Sequence, residues 1–375
     1  MSRLKLCVFP NDPIISYYDK GEIKDRYYNP CNTFDEIDII SFTDNDVEES
    51  KVQTIAGDAK LKIHSVGRIN LKNRSKNVNK ILQLVRGIKP DIIRTYNPLV
   101  EGWFAANCAK ELRIPLFVSL HIQYDGLRNL YKKTSFKRYL GLKYTEKFIE
   151  PFILKNADKI TIVYKILESY VKRHGGKNPE LLYNKIDFKR FSDATSLELP
   201  KPLVISVGRL TEQKNHQCLI ESMRQVNANL LIIGNGELHD KLSQQIRDLN
   251  LQNKITIKKS VPNNEIQRYY KSADVFALAY DTELEGLPIP VMEAMASGLP
   301  VIVPYPKNEY SDGLEQVVVF SNRDSNSFAQ ELKKVLLDSK LRQELSAKSL
   351  RKAKEFDIDI MEKREADIYL ELLRK

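Results

Sequence analysis

This chain lacks most of the features that would make it a membrane, secreted or metal protein. No apolar run approaches the roughly 20 residues that a spanning helix needs. The opening M-S-R-L-K-L-C-V-F-P lacks the long apolar core of a secretory signal, so a cytoplasmic location is the expectation. Cysteine is scarce: Cys7, Cys31, Cys108 and Cys218 are scattered without paired spacing. That pattern excludes a disulfide framework and a zinc site, and it predicts reduced, mostly buried thiols. The five histidines form no i,i+4 pair, so a metal helix is excluded too. There is no internal repeat and no low-complexity segment.

What is present describes a soluble globular protein. Its 375 residues suffice for two domains, with 42% hydrophobic and 29% charged residues. The net charge of +10 calls for an anionic partner. Nucleic acid, an anionic membrane surface and phosphorylated substrates all carry that charge. No nucleic-acid motif accompanies it, so nucleic acid is not expected.

Short apolar strands alternate with helical patterns. In the first half, strand runs fall at 4–9, 38–41, 61–65, 91–95, 116–120 and 159–163. Helices are predicted over 78–87, 99–112, 131–155 and 165–173. The run 193–202, with small polar residues and two prolines, reads as a linker. Beyond it strands recur at 203–207, 230–233, 254–257, 274–278 and 300–303. Helices are predicted there over 217–225, 238–249, 264–272, 289–297, 327–337, 339–355 and 358–373. This βαβα order predicts α/β domains with parallel, doubly wound sheets. The expected domains are 1–197 and 198–355, followed by a terminal helical segment, 356–375. Ligands of such sheets bind outside the carboxyl ends of the strands.

The stretch E-G-L-P-I-P-V-M-E-A-M-A-S-G-L-P at 285–300 carries the densest chemistry. Pro288 and Pro290 suit the mouth and first turn of a helix, where a missing N–H costs little. Gly298 and Pro300 stop it. Glu285 then precedes the helix and Glu293 lies one turn inside. Unpaired N–H groups between them favour an anion, and the two carboxylates favour hydroxyls.

This stretch resembles the nucleotide-binding signature of retaining GT-B glycosyltransferases, family 4. Three further segments match in order: V-G-R-L-T-E-Q-K-N at 207–215, I-I-G-N-G-E-L at 232–238 and I-Q-R-Y-Y-K-S-A-D-V-F-A-L at 266–278. The second half matches strongly; the first half matches in its strand–helix rhythm. The resemblance implies two Rossmann-like domains facing a central cleft, with the last helix packing back on the first domain. It also implies sugar transfer from a nucleotide diphosphate sugar to a hydroxyl acceptor: a glycan, a lipid-linked glycan or a small molecule. The leaving diphosphate would help deprotonate the acceptor on the front face, and no bound cofactor is implied.

Arg209 and Lys214 follow the first strand of the second domain. They would hold the phosphates, where leaving-group charge builds up. Glu285 would hold donor-sugar hydroxyls and Glu293 the ribose. Backbone N–H groups of Gly286, Leu287 and Ile289 would meet the phosphates. Pro288 stands where relatives often have glycine and removes one donor. Gly234 and Gly236 would line the nucleotide cleft, or form a plain strand-to-helix turn. His121, just after the strand 116–120, would lie near the donor sugar. D-x-D spacing occurs at Asp44/Asp46 and Asp357/Asp359, but both pairs read as solvated, and no metal is expected.

The acceptor side transfers poorly, because the loop after the first strand has only Gly21 where many relatives are glycine-rich. Asn11, Asp12, Lys20 and Arg26 are its acceptor-contacting candidates, unless the loop is merely pinned by its tyrosines. The segment 128–148 interleaves basic with apolar and aromatic residues. It reads either as a peripheral contact with anionic membrane or as a solvated face. Two competing functions share the fold: a nucleotide-sugar 2-epimerase, and a non-catalytic nucleotide-sugar-binding subunit. Fold alone decides none of these.

Overall fold

The computed structural model describes residues 3–307 and 310–374. The chain forms two compact units. One comprises residues up to Tyr183 together with Met361 onward; the other runs from Asn184 to Ile360.

The first unit is built on seven strands: β1 (Lys5–Phe9), β2 (Glu36–Ser41), β3 (Lys60–Ser65), β4 (Ile92–Thr95), β5 (Leu116–Leu120), β6 (Lys159–Ile162) and β7 (Glu180–Leu181). Their order is β3-β2-β1-β4-β5-β6-β7, and every pairing is parallel. The order reverses between β1 and β4. That is the switch point at which such sheets bind ligands, because helices leave opposite faces there and open a crevice. The apolar runs are nearly continuous because both faces are covered: Leu6, Val8, Ile37, Ile39 and Ile92 are all fully buried.

The final helix, Ile358–Leu373, contributes Met361, Ile368, Tyr369 and Leu372 to this core. Arg94 on β4 is buried yet satisfied. It donates to the Tyr369 hydroxyl at 2.7 Å and to Ser119 at 2.9 Å, and pairs with Glu365 at 2.9 Å. Such burial of a guanidinium is tolerable only when its charge is met.

The second unit holds β8 (Leu203–Val207), β9 (Asn229–Ile233), β10 (Ile255–Lys258), β11 (Val275–Ala277), β12 (Val301–Pro304) and β13 (Val319–Ser321). Its order, β10-β9-β8-β11-β12-β13, is again all parallel and reverses between β8 and β11.

Several expectations need correction. The first unit ends at Tyr183 rather than 197. The short helix Phe188–Ser192 packs in the second unit, with Phe191 edge-on to Tyr270 and Arg190 bonded to Gln267. The helix expected over 131–155 is three helices: Tyr124–Thr134, Phe136–Phe148 and Glu150–Lys155. Extended backbone at Ser135 (φ −158°, ψ 90°) breaks the first from the second, and Pro151 opens the third. Two strands, β7 and β13, were not expected; at two and three residues they are too short to show a period.

Arg128 is not a surface cation. It is buried, paired with Glu150 at 2.9 Å and Asp125 at 2.7 Å, and ties the three helices together. Nor is Asp46 merely solvated: it accepts from the N–H groups of Ile14 at 3.0 Å and Ile15 at 2.6 Å, anchoring the short helix Ile14–Asp19. Asp357 likewise accepts from the Phe188 N–H at 3.3 Å.

Candidate active site

In the second unit the two loops flanking the switch point hold the candidate residues Lys214 and Glu285. The loop after β8 runs from Gly208 to Asn215, and the loop after β11 from Leu278 to Pro288. They are stitched together directly, since the Asp281 N–H donates to the Gln213 carbonyl at 2.8 Å.

Lys214 is 7% exposed, and its ammonium meets Glu285 Oε2 at 2.5 Å. Gln213 Nε2 donates to Glu285 Oε1 at 2.6 Å. Both oxygens of this carboxylate are therefore held by the neighbouring loop. An ammonium has three donors, and each carboxylate oxygen has a second lone pair, so the cluster retains capacity for a ligand. The Glu285 N–H donates to the Asp281 carbonyl at 3.1 Å, and the Tyr280 hydroxyl donates to the Gly286 carbonyl at 2.8 Å. Burial raises the Tyr280 phenol well above its usual range, so it remains a donor.

The helix Ile289–Ala296 follows with Pro288 as its cap residue and Pro290 in its first turn. Among the described residues, the N–H groups of Gly286, Leu287 and Ile289 have no backbone acceptor. They are available to an anion at the positive end of this helix. Glu293 lies one turn inside, where its Oε2 accepts from the Tyr270 hydroxyl at 2.9 Å. Tyr270 is fully buried, and that burial raises its phenol well above the usual range.

Gly234 and Gly236 are demanded by close approach. A Cβ on Gly234 would sit 1.9 Å from the Gly208 carbonyl, and one on Gly236 2.5 Å from that of Leu210. The G-N-G turn is thus the floor on which the Lys214 loop rests. Leu210 N–H donates to the Asn235 carbonyl at 2.9 Å, and Leu238 N–H donates back to that of Leu210 at 3.1 Å. Beneath the same loop His216 is buried. Burial first, then the Lys214 charge, pulls its pKa down to about 4. It is neutral at physiological pH.

Arg209 extends into solvent, and its side chain forms no hydrogen bond or ion pair with other described residues. Lys214 and Glu285 are brought together, with Glu293 one helical turn beyond. His121, Asn11, Asp12, Lys20 and Arg26 belong to the first unit. There His121 is half-buried at the end of β5, its ring 5.6 Å from that of Tyr96. Asn11 and Asn97, on the loops after β1 and β4, bond across that sheet's own switch point at 3.3 Å. Asp12 and Lys20 are exposed. Arg26 pairs with Glu362 of the final helix at 3.0 Å, an engagement the sequence did not suggest. Gln213 and Tyr270 were also missed as site residues, although both stand inside the matching segments. Among the described residues no group of three or more His, Cys, Asp and Glu side chains is arranged to hold a metal ion.

Two family models match adjoining parts of the chain. Glycosyltransferase Family 4 matches residues 35–190, and Glycosyl transferases group 1 matches 187–352. The chain is 23% identical over 312 residues to alpha-monoglucosyldiacylglycerol synthase of Streptococcus pneumoniae, covering 76% of this chain and 68% of that protein. It is 29% identical over 242 residues to a Campylobacter jejuni N-acetylgalactosaminyltransferase acting on a diphospho-undecaprenol acceptor, covering 61% and 63%. Among solved structures, sucrose-phosphate synthase from Thermosynechococcus elongatus superposes with a TM-score of 0.75 at 16% identity, over 99% of this chain and all of that one. Anabaena HepE in complex with UDP gives 0.73 at 15%, over 98% and 100%. At such identities these two structures carry the fold alone.

The class follows: this chain is a glycosyltransferase of the GT-B fold. Its second unit contains the whole of the group 1 match, and that match contains both loops of the candidate site.

Proposed function

We propose that the protein is a retaining family 4 glycosyltransferase that moves a sugar from a nucleoside diphosphate sugar to a hydroxyl acceptor without a divalent metal. The observation that carries this reading is the Lys214–Glu285–Gln213 cluster beside the free N–H groups that open the helix Ile289–Ala296. A lysine and helix N–H donors together meet the charge of a departing diphosphate. In the reaction, the acceptor oxygen bonds to the anomeric carbon as the bond to phosphate oxygen breaks. The bonding pair leaves with the diphosphate, and an oxygen of that diphosphate takes the acceptor proton. Lys214 and the N–H groups stabilise the leaving charge, with Arg209 closing on it from solvent. Glu285 accepts from donor-sugar hydroxyls and Glu293 from the ribose. The solved HepE complexes with UDP make UDP the first nucleotide to test.

The acceptor is proposed to be presented at an anionic membrane surface. Helix Phe136–Phe148 exposes Phe136 (65%), Leu140 (52%), Tyr144 (40%) and Phe148 (54%), four residues apart along one stripe. Exposed Lys132, Lys133, Lys137, Arg138, Lys143 and Lys147 accompany it. An apolar stripe bordered by cations is the pattern of a helix lying in a lipid interface. On this reading the protein works as a peripheral protein at the cytoplasmic face of the membrane.

The reaction is tested with UDP-, GDP- and ADP-sugars and detergent-dispersed glycolipid or polyprenyl diphosphate-sugar acceptors, in EDTA, with product stereochemistry read by proton NMR. An α-linked product from an α-linked donor is expected. A β-linked product overturns the retaining assignment, and turnover that requires added magnesium overturns the metal-free one.

A further inference from the structure

A residue outside the four matching segments holds the two donor-site loops in register. Arg323 sits on the turn between β13 and the helix Ser325–Leu337. That helix is rigidly based, with Phe328, Ala329, Leu332 and Val335 fully buried. Its cap, Asp324, accepts from the Ser327 N–H at 2.9 Å, which fixes the backbone next to Arg323.

From this base the Arg323 guanidinium reaches three carbonyls on two loops. Nε donates to the Ala279 carbonyl at 2.9 Å, in the loop just after β11. Nη2 donates to Glu212 at 3.3 Å and to Gln213 at 3.4 Å, immediately before Lys214. Nη1 lies 3.7 Å from Asp281 Oδ2. Asp281 in turn donates its N–H to the Gln213 carbonyl at 2.8 Å and accepts from the Glu285 N–H at 3.1 Å. Its Oδ1 also accepts from the Glu283 N–H at 2.9 Å.

We propose that Arg323 is a positioning residue for the donor site: it clamps the 212–214 backbone against the 279–285 loop and so sets where the Lys214 ammonium and the Glu285 carboxylate stand. The proposal rests on the reading of this site as the diphosphate site. The chemistry favours arginine specifically. A planar guanidinium presents five donors in a fixed fork and can serve several carbonyls together, whereas an ammonium is a point charge on a flexible stem. Loop carbonyls such as those of Glu212 and Gln213 have no ladder to join, so the clamp supplies the order that a strand would otherwise give. Displacement of a charge-bearing group by about 1 Å can cost about a hundredfold in rate.

The test uses the full chain as wild type, Arg323→Ala, Arg323→Lys, Lys214→Ala and the Arg323→Ala/Lys214→Ala double variant. The readouts are the Kd of UDP by calorimetry, the kcat and KM for UDP-sugar consumption, and Tm. Arg323→Ala is expected to lower kcat/KM by about ten- to a hundredfold, with Tm within a few degrees of wild type. Arg323→Lys should be nearly as impaired, because charge without the fork does not restore the clamp. In the Lys214→Ala background, removing Arg323 should cost several-fold less than it does in wild type, since one of the two groups it positions is already gone. Wild-type kinetics in Arg323→Ala would overturn the proposal. So would a loss of full size in the Lys214→Ala background, which would mark Arg323 as structural or as an independent ligand contact. Wild type that neither binds UDP nor consumes its sugars would fail the functional reading itself, an outcome the wild-type arm alone reveals.

Discussion

The two units share a plan and differ in what they place at the switch point. Each has its first strand in the middle of a parallel sheet, with the order reversing beside it. In the first unit the loops after β1 and β4 meet through two neutral amides, Asn11 and Asn97. In the second unit the loops after β8 and β11 meet through an ion pair, Lys214 with Glu285. The same crevice therefore presents uncharged hydrogen-bonding groups in one case and a preorganised charge in the other. Amides suit neutral hydroxyls, and a buried ammonium beside helix N–H donors suits phosphate. One fold, used twice, is differentiated by two loops.

The largest test of that contrast is pH. His216, beneath the charged loop, is pulled down from 6.5 to about 4 by burial. Glu101, in the first turn of the helix after the amide loop, is pushed up from 4.5 to about 7 by burial. Folding keeps His216 from taking the proton that the unfolded chain binds below pH 6.5. Its stabilising contribution is complete above that pH and is lost as pH falls toward 4, amounting to about 3 kcal/mol. Glu101 runs the other way. The folded protein keeps a proton that the unfolded chain releases, so its contribution is present below pH 4.5 and lost as pH rises through 7. Thermal melts should show His216→Asn flattening the acid limb and Glu101→Gln flattening the decline toward neutral pH. Unchanged profiles in both variants would break the contrast.

The next effect concerns Glu293. Glu293→Ala should weaken UDP about ten- to a hundredfold, while 2′,3′-dideoxy-UDP, already weak, changes little. Tyr270→Phe, which removes only the hydroxyl that orients Glu293, should cost less than tenfold. Equal losses for both nucleotides in Glu293→Ala would point to a disturbed helix rather than a lost ribose contact.

The smallest effect lies on the first unit's surface. Sedimentation with phosphatidylglycerol vesicles should recover the wild type and weaken with salt. Neutralising Lys132 and Lys133 should cost about 1 kcal/mol per charge, and Phe136→Ser should weaken binding at any salt. Equal binding to phosphatidylcholine vesicles, or none to either, would leave the stripe an ordinary exposed face.

The sequence already made much of the second unit readable, and the reasons are local. Pro288, Pro290 and Gly298 punctuate one helix, so the placement of Glu285 and Glu293 followed from residue types alone. Strands such as 116–120 and 203–207 were legible because burial on both faces leaves an unbroken apolar run. What was hidden depends on distance along the chain. Arg128 reads as one basic residue among many until Glu150 and Asp125 fold against it. Arg323 stands in an unremarkable turn and meets Glu212 and Gln213 only through the sheet order. Asp46 looked solvated because its partners, the N–H groups of Ile14 and Ile15, lie 32 and 31 residues away. Arg26 reads in the sequence as an acceptor-loop cation, while its partner Glu362 lies in the last helix.

Calorimetric titration of UDP decides whether the second switch point handles the donor's charge and the first does not. It is titrated into wild type, Lys214→Ala and Asn97→Ala across a range of salt. Lys214→Ala should lose about ten- to a hundredfold in affinity together with part of the salt dependence, on the scale of a charge-assisted contact. Asn97→Ala should bind as wild type does. Equal UDP affinity in wild type and Lys214→Ala, or a loss confined to Asn97→Ala, would contradict it.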